Sequence, residues 1–197
     1  MKSIGLLLVT AFWALTLSGC SQPTSDARQT DDAAAGGVPG GSASVEPSGA
    51  IAPADLDLAF AVVSGPTYDP AADAVMYQIQ VTNNGNATLA SHGEFPVNVG
   101  VVIRGADGTL DTPPANLDFV RIALPQPLAR GQQVTLPISF DAAPTLGGTV
   151  VVDAVQERVS WFSGYGKPVL TLGTYMRCNG KQNTLCLADG SAVAAAQ

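Results

Sequence analysis

In successive runs between Leu56 and Met176 the apolar residues recur at every second position, a period that reads as strands rather than amphipathic helices. Leu56, Leu58, Phe60 and Val62 alternate with Asp57, Ala59, Ala61 and Val63, and Val75, Tyr77, Ile79 and Val81 alternate with Met76, Gln78, Gln80 and Thr82. Val97, Val99, Val101 and Ile103 give a third strand, and Val134, Leu136, Ile138 and Phe140 a fourth. A short strand is expected from Phe119 to Ala123, a long one from Thr149 to Trp161 and another from Val169 to Met176. The breaks carry turn chemistry: Asn83-Asn84-Gly85-Asn86 tolerates positive φ, Gly105-Ala106-Asp107-Gly108 is a hairpin signal, and Pro125, Pro127, Gly131 and Pro144 punctuate the rest. With no sustained helical period and no internal repeat, the expected fold is all-β: a single antiparallel sandwich over residues 51–197.

Composition separates that domain from what precedes it. The chain is 46% hydrophobic and 13% charged, enough apolar surface for a packed core. Residues 20–50 are different: no aromatic residue, almost no large aliphatic one, and a run of Gly, Ser, Ala, Pro and Asp that cannot offset the entropy of ordering. They read as a disordered linker. As a flexible coil, a tract of about thirty residues reaches roughly 30 Å.

The first twenty residues have one cation, Lys2, an apolar run from Ile4 to Leu17 too short to span a bilayer, and small residues before Cys20. Leu17-Ser18-Gly19-Cys20 resembles the lipobox of bacterial lipoproteins. The resemblance implies that residues 1–19 are removed as a signal peptide and that Cys20 carries acyl chains that hold the protein on a membrane. Ser21, rather than Asp, after the cysteine implies passage to the outer membrane, facing the periplasm or the surface. Removing Lys2 leaves eight Lys and Arg against sixteen Asp and Glu. That acidic balance argues against nucleic acid, which needs clustered Lys and Arg.

Further landmarks lie within residues 75–172: Pro96-Val97-Asn98-Val99-Gly100, Arg121 through Leu124-Pro125, Leu128 through Val134, and Val155 through Phe162. They resemble the strand and turn positions of immunoglobulin-like or fibronectin type III-like modules appended to bacterial envelope and glycan-processing enzymes. Such modules are generally non-catalytic, which implies a binding or supporting role toward a protein or glycan.

The residues able to do chemistry are sparse. His92 is the one histidine, flanked by Ser91 and Glu94, and a general base needs an orienting acid and a nucleophile in reach. Zinc needs several His or Cys ligands, so no zinc site and no cofactor is expected. Asp107, Asp111 and Asp118 surround a Gly-rich turn, where turn formation explains them better than calcium binding. A small sugar-active or hydrolytic enzyme, the alternative to a binding module, would draw a carboxylate pair from Glu94, Asp118, Asp153 and Glu157.

Aromatic residues cluster at the end of the long strand. Trp161 continues the face of Val155 and Val159 and is expected in the core, whereas Phe162 and Tyr165, beside Gly164 and Gly166, are expected to be partly exposed and to form a binding surface. Of three cysteines, lipid would consume Cys20, leaving Cys178 and Cys186 to pair as a disulfide across a hairpin in an oxidising compartment. The expected protein is a non-enzymatic envelope lipoprotein whose tethered sandwich binds a periplasmic or surface partner.

Overall fold

A computed structural model describes residues 49–105, 120–181 and 183–196. Among the described residues there are ten strands: β1 (Leu58–Asp69), β2 (Ala74–Asn83), β3 (Val97–Arg104), β4 (Val120–Ala123), β5 (Gln133–Asp141), β6 (Thr149–Gln156), β7 (Ser160–Trp161), β8 (Leu170–Arg177), β9 (Leu185–Leu187) and β10 (Ala194–Ala195). They form two sheets. The first has the order β10-β1-β2-β5, and the second β4-β3-β6-β8-β9, with β7 also beside β6. The chain crosses repeatedly from one sheet to the other, the connectivity of a Greek-key sandwich. Among the named strands pairing is antiparallel except for β10, which lies parallel to β1.

The core follows the alternation where one sheet face is wet. Val75, Tyr77, Ile79 and Val81 of β2 and Leu136, Ile138 and Phe140 of β5 are buried, and they face Val97, Val99 and Val101 of β3 and Val150, Val152 and Ala154 of β6. Its aromatic centre is Tyr77, Phe140 and Tyr175: the first two rings stack with centroids 6.3 Å apart, and the second pair meets edge to face at 6.0 Å. The Tyr77 and Tyr175 hydroxyls are hydrogen-bonded to one another, joining the sheets. Burial pushes both phenols above their ordinary range.

The Asn83 turn is present, but Asn83 itself is buried. Its Nδ2 donates to the carbonyls of Ala87 and Leu128, each at 2.8 Å, and its Oδ1 accepts from Gly85 N at 3.0 Å. A Cβ on Gly85 would lie 2.2 Å from the Asp55 carbonyl, so this turn presses directly on the segment entering β1.

Two strand assignments differ from expectation. β1 does not stop before Gly65-Pro66 but runs on to Asp69 through two register shifts, after Val62 and after Ser64. An edge position tolerates the missing N–H of Pro66. The expected long strand Thr149–Trp161 is instead β6, a turn and β7 folded back: Val155 pairs with Trp161, and Gln156 with Ser160. Arg158 makes that turn at φ +63°, with no Gly or Pro to announce it.

Candidate functional site

That hidden turn decides where the aromatics go. β6 is buried on both faces from Val150 to Gln156, so alternation in its sequence does not reveal which side is the core. Its core side is Val150, Val152 and Ala154, which places Val155 and its partner Trp161 on the outer face. The expectations for Trp161 and Phe162 are therefore corrected, while Tyr165 is partly exposed as expected. Phe162 is 1% exposed and belongs to the core, and Tyr165 is half-buried and packs against it. Trp161 is half-buried and lies over Gly100, where a Cβ would come within 2.5 Å of the indole.

Around Trp161 the outer face is polar. The Arg121 guanidinium stands 4.6 Å from the indole centroid and donates to Glu157, and Asn98 Nδ2 donates to the same Glu157 oxygen at 2.7 Å. Nearby, Asp153 is 1% exposed and accepts from its neighbour Ala154 N at 2.7 Å. Burial raises its carboxyl above the usual range, partly opposed by hydrogen bonds from Ser163 and by the charge of Arg104. Asp153 thus fastens the turn that carries Phe162 where the β6 ladder passes from β7 to β8.

The side of the sandwich where β1 faces β8 is built differently at its two ends. At one end Arg177 donates from NH1 to the Tyr68 hydroxyl and from NH2 to both Asp73 carboxylate oxygens, each at 2.8 Å. The Tyr68 hydroxyl donates to Asp73 at 2.7 Å. Burial alone would raise the Asp73 carboxyl, but the Tyr68 hydroxyl and the Arg177 guanidinium outweigh it and hold the group below the usual carboxylate range. Burial, with the hydrogen bond to Asp73, raises the Tyr68 phenol. These groups, with Pro70 and Asn183, line a hollow of about 420 Å³, and Tyr68, Asp73 and Arg177 hydrogen-bond to one another in its wall.

Beside that cluster Cys178 and Cys186 form a disulfide with Cα atoms 5.2 Å apart. It joins the end of β8 to β9, with Tyr175 opposite Leu187 and Arg177 opposite Leu185. The chain then crosses to the first sheet, burying Val193, and β10 pairs with Thr67 and Tyr68 of β1.

At the other end nothing comparable closes the side among the described residues. Asp57, Leu58, Ala59, Phe60 and Asn84 face Pro168, Val169 and Leu170 across a hollow of about 310 Å³, lined mainly by hydrocarbon. Sequence reasoning missed this groove because its walls are separated by more than a hundred residues, and the alternation of β1 signals only that Leu58 and Phe60 turn inward.

The other expected residues are dispersed. His92 and Glu94 are exposed, with Ser91 Oγ and His92 Nδ1 3.1 Å apart. None of Glu94, Asp153 and Glu157 lines either hollow. Asp107, Asp111, Asp118 and Cys20 lie outside the described residues. Among the described residues no group of three or more His, Cys, Asp or Glu could hold a metal ion, and no helix is long and apolar enough to cross a membrane. No family model and no curated protein matches the chain.

Proposed function

We propose that this chain is a non-enzymatic lipoprotein of the bacterial cell envelope, anchored through Cys20 and presenting its β-sandwich as a binding module for a periplasmic or surface protein or glycan. The observation that carries the reading is the order of parts: an apolar leader ending in Leu17-Ser18-Gly19-Cys20, a Gly/Ser/Ala/Pro-rich tract to residue 50, then one sandwich. A tract of that composition, behaving as a coil of about thirty residues, would let the module search a shell roughly 30 Å deep above the membrane and meet partners at high effective concentration. The ionisable cluster of Tyr68, Asp73 and Arg177 supports a binding role over hydrolysis, because it holds a single carboxylate, already paired with a guanidinium.

Replacing Cys20 with Ala and fractionating the cells tests the anchor. The expected result is a chain that stays unprocessed or leaves the membrane fraction. A mature chain that remains membrane-bound without the cysteine would overturn it.

A further inference from the structure

We infer that the open end of the side between β1 and β8 is a docking groove for an extended, basic segment of a partner protein, which enters as an added strand along β1. The inference deepens the binding-module reading and rests on it for the existence of a partner.

The outer edge of β1 is paired only at Thr67 and Tyr68, by β10, so among the described residues Leu58–Ser64 has no strand on that side. β8 likewise meets β9 only from Tyr175 to Arg177. The two edges are neighbours: Arg177 reaches Tyr68 at one end, and Leu170 shares a hollow with Leu58 and Phe60 at the other. β1 and β8 therefore run side by side in the same direction, and the protein's own C-terminal segment fills only the far end of the row between them. Leu58–Val62 pairs with β2 in unbroken register, so this edge is a straight template before the first shift. β5, at the opposite edge of the same sheet, has Pro137 in its middle, a residue that cannot donate to an added strand. β1 has no such guard before Pro66.

The occupant follows from continuity and charge. β10 already lies parallel on this edge, with Ala196 N donating to Tyr68 O at 2.9 Å, so an incoming strand extends a row the fold has begun. The groove walls ask for alternate apolar side chains against Leu58, Phe60 and Leu170. No charged residue occurs from Leu58 to Tyr68; Asp57 is the charged residue among those lining the hollow, Lys167 precedes its other wall in sequence, and the chain has a net charge of −7. A second copy would bring another Asp57 and the same excess of negative charge. A Lys or Arg flanking the apolar residues of a foreign strand is complementary instead.

The test is selection of a random heptapeptide display library on the full chain purified in detergent. Enriched sequences are expected to alternate apolar residues and to carry Lys or Arg at one end. A synthetic peptide of that sequence should bind about tenfold more weakly to Ala59→Trp, which places an indole on the exposed stretch of β1 beside the hollow, with an unchanged melting temperature. Asp57→Lys, on an exposed side chain, gives a second reading that does not depend on the first variant folding well, and should weaken the same peptide and reduce its salt dependence. Enriched peptides indifferent to both variants would overturn the groove while leaving the binding-module reading in place. A selection that enriches no sequence would also overturn the groove, and the broader reading would then stand or fall on crosslinking in intact envelopes.

Discussion

The two ends of the side between β1 and β8 are made from the same pair of strands and finished in opposite ways. At the Tyr68 end a guanidinium, a phenol and a carboxylate satisfy one another, a disulfide pins β9 to β8, and β10 covers the edge of β1. At the Leu58 end the strands stop short of each other over a hydrocarbon-lined hollow. What the contrast teaches is that polar groups on a β-sandwich need not mark its site. The charged cluster is spent on closing the fold, and the hydrocarbon-lined end beside Asp57 is the one we propose takes a strand.

The closed end should break most readily through its cross-link. Changing Cys178 and Cys186 together to Ser should cost about 2 to 3 kcal/mol in the chain-entropy account, read as a lower urea midpoint. A midpoint that does not move would mean that β9 and β10 hold without the bridge.

A smaller effect is expected from the ion pair. Arg177 and Asp73 are partly exposed, with side-chain exposures of 25% and 38%, so solvent screening limits Arg177→Met to about 1 kcal/mol. The pH dependence has a definite sign. Because the Asp73 carboxyl is held low in the folded state, its contribution is complete above the unfolded value of about 4 and is lost as pH falls through the folded value. The wild-type melting temperature should therefore drop more steeply in acid than that of Asp73→Asn. Parallel acid profiles for the two proteins would remove the pair from the account.

At the open end the expected stability change is nearly nil. Ala59→Trp should alter stability by less than about 0.5 kcal/mol, since Ala59 is exposed and nothing leans on it. A large loss there would show that this end is packed after all.

Much of this fold can be read from residue order where a strand has one wet face. Val75, Tyr77, Ile79 and Val81 point inward as their spacing predicts, and so do Leu136, Ile138 and Phe140. The cysteine pair is legible as well, from the cysteine count and the expected hairpin between Cys178 and Cys186. What fails is β6: with Val150 through Gln156 all buried, its alternation has no polar partner to orient it, and the turn at Glu157–Val159 lacks Gly and Pro. Those two silences exchange Trp161 and Phe162 between surface and core. The ends of the β1–β8 side are harder still, because Tyr68 and Asp73 meet Arg177 across more than a hundred residues of sequence and no local pattern encodes the meeting.

Amide hydrogen exchange on the full chain compares the two ends most directly. The account predicts that the outward-facing amides of Leu58–Val63 and of Leu170–Leu172 exchange about a hundredfold faster than those of Tyr175–Arg177 and Ala196, and that the selected basic peptide slows the first group alone. Equal protection at the two ends without peptide would contradict it.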